Sequence, residues 1–511
     1  MTKKSEYGLL LKGNPIVFFG SAGLILAFVI FGTVFTEAAQ TLFDTIQTAI
    51  SSRYGGWFYH ASITFCLFFC LWLCLSRYGK IRLGGDDERP KYGYLTWFSM
   101  LFSAGMGIGV LFWSVAEPIT HFTHPPMGEA GTPEAAAQAM NFTLLHWGLH
   151  GWAVYAIVGL GLAYVAYRRH QPLTFRCILY PLFGERVRGP IGDAIDIFAV
   201  LGTMFGVATT LALGAQQINA GLSHLLGVEV SMSAQLWLIA GITAMATASV
   251  VSGLDRGICW LSRLAIWLAL PLLLFLLFAG PTLAVLQSVI ESTGHYLYAI
   301  GRQGLWSDLG GSTEWQGDWT LFYWAWWIAW SPFVGMFVAR ISRGRTVREF
   351  VLGVLFVPTL VSCLWFGLFG GLALDFVAAG NQVLANAVEE NFAVAIFVFF
   401  DAFPATALLS VIGVAIIIIF FVTSSDSASL VIDYIAAGGD PDPPKRQRVF
   451  WATTEGAVAA MLLVSGGIAP MRTFQLITGL PLAVILLLIC YAIVRLLRSE
   501  AQFACRCGNR A

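Results

Sequence analysis

The sequence predicts an all-α protein that crosses a membrane many times, and three observations lead to this class. Of 511 residues, 57% are hydrophobic and only 11% are charged, whereas soluble globular chains carry roughly 25% charged residues. The mean hydropathy is +0.74. Apolar stretches of about 20 residues, long enough to span a bilayer as helices, recur along the whole chain.

Twelve such spans can be drawn, and we therefore predict a polytopic protein with twelve transmembrane helices. The predicted spans are 15–36, 57–76, 95–115, 141–166, 192–222, 233–253, 259–286, 318–340, 347–374, 405–432, 449–467 and 474–497. Segment 287–302 is predicted to be an amphipathic helix at the outer surface. The apolar run 16–35 is long enough to stay in the bilayer, so no cleavable signal peptide is expected.

Basic residues are unevenly distributed among the predicted loops. Lys and Arg cluster in the segments 77–82, 168–188, 340–348 and 445–448, and they are absent from the segments 116–140, 223–232 and 375–404. Because an excess of positive charge marks the cytoplasmic side, both termini are predicted to be cytoplasmic in a multi-pass protein of the cell (inner) membrane. The balance of 29 basic and 29 acidic residues gives no indication of nucleic-acid binding.

Segment 322–333, which reads FYWAWWIAWSPF, contains four tryptophans within seven residues. On a helix, Trp326 and Trp330 lie one turn apart and Trp327 lies three residues before Trp330, so these indoles share adjoining surfaces. Ring faces brought together in this way can hold a quaternary ammonium, a cation that offers no hydrogen-bond donors. The alternative is an aromatic belt at the membrane interface. The density of the tryptophans favours the pocket.

Glycines occupy alternate positions, Gly105, Gly107 and Gly109, in the middle of the third span. Each costs a helix about 1 kcal/mol relative to Ala. We therefore predict a helix that unwinds at the bilayer centre, with backbone N–H groups toward an anionic group and carbonyls toward a cation. The alternative is close helix packing, because Gly105 and Gly109 also have the spacing of small-residue contacts.

The fourth span contributes a second aromatic group. On a helix, Trp147, Trp152 and Tyr155 fall within an arc of about 140°, so all three can face one cavity, and core packing is the alternative. His146 and His150 are one turn apart. We predict that they are hydrogen-bonded structural residues rather than metal ligands, because no third ligand is visible.

The tenth span carries a polar cluster, TSSDS at 423–427, inside a strongly apolar helix. Phe420, Thr423 and Ser424 share one face of that helix. Hydroxyls beside the carbonyls of a broken helix suit a small hard cation, and we predict sodium. The alternative is that the hydroxyls bond back to their own helix.

No phosphate loop, metal triad or nucleophile constellation is found in the sequence. We therefore predict neither an enzyme nor a cofactor, apart from sodium as the coupling ion.

These motifs together resemble the betaine/choline/carnitine transporter (BCCT) family over essentially the whole chain, most of all its glycine betaine transporters. The matching motifs are 105–109 with 116–118, 146–155, the tryptophan cluster, 339–346 and 423–426. The resemblance implies one transporter domain over 1–511, with a LeuT-like 5+5 inverted repeat preceded by two extra helices. The implied parts are two peripheral helices at 15–76, a first repeat at 95–286, a second repeat at 318–497 and a short cytoplasmic tail at 498–511.

The resemblance also implies roles for single residues. It assigns substrate binding to Trp326, Trp327, Trp330, Trp147, Trp152, Tyr155, Gly105, Met106 and Gly107. It assigns a sodium site to Ser103, Met106, Phe420, Thr423 and Ser424. A second sodium site of the family matches Thr203 and Phe333, but Val207 stands where that site has another threonine, so the second site is incomplete. Proton-coupled choline carriers tend to have Asp at the position of Gly107, and the glycine here points to a zwitterion such as glycine betaine.

Three functions remain open on the sequence. The first is a symporter that imports glycine betaine with sodium, for osmoprotection, by alternating access. The second is a carrier for choline, carnitine or dimethylsulfoniopropionate driven by protons or by substrate exchange. The third is a channel or a sensor. Broken helices around a single aromatic pocket favour a carrier. The resemblance implies a homotrimer in the lipid bilayer with a small-molecule substrate and no nucleic-acid partner.

Overall fold

The computed structural model describes residues 6–7, 11–51, 53–105, 107–252, 255–306, 313–440 and 442–508. Its helices are α1 (Pro15–Val34), α2 (Thr36–Ser51), α3 (Arg53–Leu75), α4 (Tyr94–Gly105), α5 (Ile108–Thr123), α6 (Pro133–Trp147), α7 (Leu149–Ala163), α8 (Phe175–Ile178), α9 (Tyr180–Phe183), α10 (Pro190–Leu226), α11 (Met232–Ser252), α12 (Asp255–Ala279), α13 (Thr282–Gly304), α14 (Thr313–Gln316), α15 (Phe322–Ile341), α16 (Val347–Ala378), α17 (Gln382–Glu390), α18 (Ala395–Phe400), α19 (Thr406–Ala436), α20 (Lys445–Val464) and α21 (Ile468–Gly508).

Short segments of other secondary structure complete the described chain. Single turns of 3₁₀ helix lie at Arg77–Lys80, Gly184–Arg188 and Phe392–Val394, and π-helical turns lie at Tyr164–Arg168 and Gly317–Leu321. Two strands of two residues each, β1 (Glu6–Tyr7) and β2 (Leu11–Lys12), pair antiparallel before α1. The architecture is helical throughout the membrane-spanning part, as the composition predicted.

Within the described residues, nine helices are long and apolar enough to cross a membrane, and a sharply bent pair, Arg263–Ala279 with Thr282–Gly304, makes ten. The predicted count of twelve is not confirmed. The span predicted at 95–115 is divided between α4 and α5, each too short to qualify. The span predicted at 449–467 corresponds to α20, whose basic start and buried Glu455 lower its hydropathy.

The bend of 112° between α12 and α13 lies just before the segment predicted to be an amphipathic surface helix. That segment, 287–302, falls within α13.

The core is built around α7, α10 and α15. In the most apolar part of Glu314–Ile341, the segment that includes α15, 94% of the residues are buried. The corresponding share in α1 (Pro15–Val34) is 28%. Helix α15 packs on α7, α10 and α21, and α16 covers α5, α6 and α7. The tryptophan-rich segment is therefore at the centre of the bundle, and α1 is at its periphery, which excludes an interfacial belt for these indoles.

The predicted break in the third span is present. Helix α4 ends at Gly105 and α5 begins at Ile108, while Met106 lies outside the described residues. Gly107 has an extended backbone, with φ −116° and ψ −167°, and no side chain caps the first turn of α5. Val110 N–H donates to the Gly107 carbonyl at 3.2 Å, whereas the N–H groups of Ile108 and Gly109 begin the helix without an intrahelical acceptor. The positive end of the α5 dipole therefore faces the break.

Two loops with clustered basic residues, one before α4 and one before α16, pair with each other. Leu83 N–H donates to the Arg345 carbonyl and Gly344 N–H donates to the Leu83 carbonyl, each at 2.8 Å. Arg343 contacts Glu88 at 2.5 Å. The Gly85 N–H and the Arg343 guanidinium hold the pKa of the Glu88 carboxyl below its ordinary value. These two loops therefore lie on the same side of the protein.

Candidate functional site

A cavity lies where α5, α6, α7, α10 and α15 meet. Its lining residues are Gly107, Gly109, Val110, Trp147, Tyr155, Thr210, Trp326, Trp327 and Trp330. Six of the residues predicted to bind substrate are in this set. None of these nine described lining residues carries a charge, and their surface is dominated by aromatic rings.

The rings of the cavity meet one another at steep angles. The centroids of Trp326 and Trp330 are 6.5 Å apart, with planes at 87°, and Trp147 lies 6.1 Å from Trp326 at 77°. Trp147 and Trp327 are 6.0 Å apart at 75°. Tyr155 approaches Trp327 to 4.9 Å. Rings at right angles present faces in several directions around one space, which is the arrangement that encloses a cation by its ring-face contacts.

Glycines allow the indoles to pack this closely. A Cβ added at Gly109 would lie 2.8 Å from Cη2 of Trp326 and 3.0 Å from Cη2 of Trp147. A Cβ at Gly151 would lie 2.4 Å from Cδ2 of Trp327. A side chain at either position would therefore displace a ring of the cavity. At Gly107 the nearest atom, Cη2 of Trp330, would be 3.7 Å away, so a Cβ at that position would make ordinary van der Waals contact.

The remaining predicted substrate residues lie beside the cavity or outside the described part. Trp152 is buried behind the lining, 5.5 Å from the Tyr155 ring and 5.8 Å from the Trp327 ring. Gly105 is the last residue of α4. Met106, predicted for both substrate and sodium, is outside the described residues.

Two of the predicted sodium residues, Thr423 and Thr203, lie on the long helices α19 and α10. Thr423 Oγ1 on α19 donates to the Ile419 carbonyl at 2.9 Å. Thr203 Oγ1 on α10 donates in the same way to Ala199 at 2.8 Å. Both hydroxyls thus bond back to their own helices, which was the alternative weighed for the tenth span. Each oxygen keeps lone pairs that can coordinate an ion.

The other residues considered for sodium binding lie on α19, α4, α15 and α10. Phe420 and Ser424 are half-buried on α19, and Ser103 lies in α4, where its side chain is outside the described part. Phe333 packs edge-on against Trp330 at 5.5 Å. Val207, which lacks an oxygen, is fully buried.

Some polar residues of the tenth span form hydrogen bonds with neighbouring helices. Ser425 Oγ and Ser429 Oγ donate to the carboxylate of Glu455 on α20, at 2.8 and 2.9 Å. Ser249 Oγ donates to Asp426 at 2.8 Å. Two of the five polar residues at 423–427 therefore serve contacts between helices, and Thr423 and Ser424 remain as the candidate ion ligands.

Sequence reasoning missed a buried polar cluster behind the cavity. Glu117 of α5 is fully buried, with Oε1 2.6 Å from His146 Nδ1 and 3.4 Å from His121 Nε2. Trp147 Nε1 and the Tyr323 hydroxyl both donate to Glu117 Oε2, at 2.9 and 2.5 Å. The sequence signal was that Glu117 falls within 116–118, one of the motifs that carry the resemblance, but the predicted third span ended at residue 115, before it.

Three side chains of this cluster, Glu117, His121 and His146, have possible metal-ligand atoms within 4.8 Å of one another. A metal ion with bonds of about 2.0 Å would hold tetrahedral ligand atoms roughly 3.3 Å apart. The separation of 2.6 Å between Glu117 and His146 is that of a hydrogen bond. His146 also contacts Thr320 Oγ1 at 3.0 Å through its other nitrogen, so it is hydrogen-bonded on both sides, as predicted. His150 differs from the prediction, because its Nδ1 has no hydrogen-bond partner among the described residues.

A polytopic helical protein with a broken helix at an aromatic cavity has the features of a membrane carrier. The chain belongs to the BCCT, betaine/carnitine/choline family of transporters, whose model matches residues 16–502. The family is one of transporters, which confirms the resemblance and the prediction that this protein is not an enzyme.

Similar proteins support the same assignment. The chain is 42% identical over 489 residues to the glycine betaine transporter of Acinetobacter baylyi, covering 96% of this chain and 74% of that one. It is 40% identical over 496 residues to the glycine betaine transporter OpuD of Bacillus subtilis, covering 96% of each chain. It is also 40% identical over 494 residues to the high-affinity choline transport protein of Escherichia coli, covering 96% and 73%.

Proposed function

We propose that this protein imports glycine betaine, a quaternary ammonium zwitterion, by sodium symport with alternating access. The observation that carries the proposal is the cavity walled by Trp147, Tyr155, Trp326, Trp327 and Trp330. A trimethylammonium group has no hydrogen-bond donor, so ring faces and shape are the means of holding it. Its desolvation is offset by several ring faces at once.

The break before α5 suits the carboxylate of the same substrate. Gly107 and Gly109 line the cavity, and the first turn of α5 offers free N–H groups and the positive end of a helix dipole there. A Cβ at Gly107 would make ordinary van der Waals contact, yet no acid occupies that position. A cavity with an aromatic part and a helix N-terminus matches a molecule with a methylated cation at one end and a carboxylate at the other.

Sodium is proposed as the driving ion. Thr423 and Ser424 offer neutral oxygen atoms on α19, a helix that packs on α5 and α10. Neutral oxygen ligands suit a small monovalent cation. Because Val207 cannot act as a ligand, we expect one complete sodium site rather than two, with Thr203 and Phe333 as the remnant of the second.

The membrane, the orientation and the oligomeric state are proposed from the distribution of charge and from the family. We propose that the protein lies in the cell inner membrane with both termini in the cytoplasm. The paired basic loops around Leu83 and Gly344 lie on one side of the bundle, and an excess of basic residues marks the cytoplasmic side. A homotrimer and a role in osmoprotection are proposed on the resemblance. The first inverted repeat would comprise α4 to α12, the second α15 to α21, and α13 would lie at the outer surface.

Uptake of radiolabelled substrate into proteoliposomes tests this proposal, with sodium and proton gradients imposed separately. We expect saturable glycine betaine uptake that requires an inward sodium gradient. Choline is the second candidate substrate, because one relative of similar identity is a choline transport protein. Uptake driven equally well without sodium would replace symport with proton coupling or exchange, and a non-saturable flux would indicate a channel.

A further inference from the structure

The buried cluster of Glu117, His121 and His146 can take up or release one proton without moving heavy atoms. An indole N–H and a phenol O–H are both donors to Glu117 Oε2. Oε2 is therefore an acceptor twice over, and any carboxyl proton lies on Oε1, which faces His146 Nδ1 at 2.6 Å.

His146 accommodates both protonation states. Its second nitrogen, Nε2, faces Thr320 Oγ1 at 3.0 Å, and a hydroxyl both donates and accepts. His121 is a second imidazole within reach, at 3.4 Å from Oε1, and its Nδ1 has no hydrogen-bond partner among the described residues. The pair of Glu117 and His146 thus exists either as a neutral unit or, after losing one proton, as a unit with a buried negative charge.

No permanent cation of the described residues is paired with Glu117. The titratable groups that face it are His121 on its own helix, His146 on α6 and Tyr323 on α15. Helices α10, α16, α17, α18 and α19 also pack on α5, and in the described part of the chain they contribute no hydrogen bond or ion pair to this carboxylate. A buried charge without a partner is costly, so a positive charge brought close to this carboxylate stabilises its ionised form.

The charged groups farther away have their own partners. Arg472 on α21 lies over the Trp319 ring and is paired with Asp318 at 3.1 Å. His60 on α3 accepts from Trp324 Nε1 at 3.2 Å, and the His150 ring on α7 lies 5.5 Å from that of Trp324. Neither histidine bonds to the carboxylate in the described part of the chain.

We propose that Glu117, His121 and His146 form a proton site whose occupancy is linked to cation binding in the aromatic cavity. The connection is Trp147, whose indole N–H bonds to Glu117 and whose ring is a wall of the cavity. A quaternary ammonium against that ring places a positive charge one indole away from the carboxylate and takes over as its counter-charge. Linkage is reciprocal, so cation binding releases the proton, and cations bind more tightly as the pH rises.

This inference rests on the proposed binding of a quaternary ammonium in the cavity, but it does not depend on which ion drives transport. The test is isothermal titration calorimetry of the purified full chain at fixed sodium, from about pH 5 to about pH 9, the range in which perturbed carboxyl groups and imidazoles titrate. Glycine betaine and choline are titrated separately, each in buffers of different protonation enthalpy. We expect release of up to one proton per bound cation. The apparent Kd should fall about tenfold from the acidic to the alkaline end, the scale of a unit charge one side chain away.

Two variants test whether Glu117 is the group that releases the proton. Glu117→Gln keeps the shape and an oxygen that accepts from Trp147 and Tyr323, but it cannot ionise, so we expect a Kd that is independent of pH and no proton release. Tyr323→Phe removes one donor to the carboxylate and weakens its anionic form, so the rise in affinity should move to higher pH. A purely structural role of Tyr323 would instead lower affinity equally at every pH. His224→Gln is the control, because His224 is paired with Asp401 at 3.2 Å, and it should keep the wild-type response.

The outcomes separate this inference from the proposed function. Binding of either cation without proton release and with constant affinity would overturn the linkage while leaving the cavity as the binding site. Full pH dependence in Glu117→Gln would also overturn it. Failure of both cations to bind the wild type would refute the cavity itself, and the linkage with it. Binding of choline but not glycine betaine, with proton release, would support the linkage and correct the substrate.

Discussion

Replacing Trp330 with leucine tests the aromatic cavity at the ring where α15 meets the helix break. The Trp330 side chain is 7% exposed. Its Cη2 faces Gly107, and its Nε1 lies against Gly206 of α10, where an added Cβ would be 3.1 Å away. Losing a desolvated cation–π contact of about 2 kcal/mol should weaken glycine betaine binding by about 30-fold, because each 1.4 kcal/mol is roughly a factor of ten.

The same substitution also leaves a smaller side chain in a packed core. Truncating a buried Trp to Ala costs about 3–5 kcal/mol of stability, and Leu recovers part of that. Trp451→Leu is the matched control, because Trp451 is fully buried in α20 against Phe18, at 5.2 Å, and is not part of the cavity. Trp330→Phe keeps a ring face and should fall between the wild type and Trp330→Leu.

Binding is measured by calorimetry, and uptake by radiolabelled glycine betaine in proteoliposomes at matched protein density. The expected order of affinity is wild type, then Trp330→Phe, then Trp330→Leu, with Trp451→Leu close to wild type. An unchanged Kd in Trp330→Leu would remove that ring from the site. Equal losses in Trp330→Leu and Trp451→Leu would mean that lost packing, rather than a cation contact, explains the effect.

Three further predictions concern the break and the ion. Gly107→Asp should lower glycine betaine uptake and raise choline uptake, because the added carboxylate repels the carboxylate of one substrate and attracts a cation without one; parallel changes in both rates would show a packing role only. Gly109→Ala should reduce binding by tenfold or more, on the order of the loss of one ring contact, since its methyl group would displace two cavity tryptophans. Gly294→Ala, which meets no atom within 4 Å, is the control. Replacing Thr423 and Ser424 together with Ala should raise the half-saturating sodium concentration strongly with a smaller change in substrate Kd at saturating sodium, and a sodium response identical to wild type would remove both residues from the ion site.

Much of this architecture could be predicted from local sequence. Apolar runs identify helices because a bilayer requires about 20 apolar residues per span, and alternate glycines predicted the interruption between α4 and α5. The spacing of Trp326, Trp327 and Trp330 predicted a shared surface, since residues three and four apart are neighbours on a helix. Each of these signals lies within one segment of the chain.

Contacts between distant segments could not be read in the same way. The partners of Glu117 are 29 residues away at His146 and 206 residues away at Tyr323. Likewise, Ser425 was noted only as part of the polar cluster at 423–427, and nothing in its own segment indicated that it bonds to Glu455 on the next helix. The count of twelve spans is not confirmed, because the break divides one predicted span into two short helices and the charged residues of α20 lower its hydropathy.

The most direct measurement for the central claim is an experimental structure of the protein with glycine betaine and sodium bound. We expect the trimethylammonium group inside the cavity, with its nitrogen within about 6 Å of the ring centroids of Trp326 and Trp330, the range of a cation–π contact. The carboxylate should point toward the N–H groups at the start of α5. Density for the substrate at another place, or the carboxylate rather than the ammonium among the tryptophans, would contradict the account.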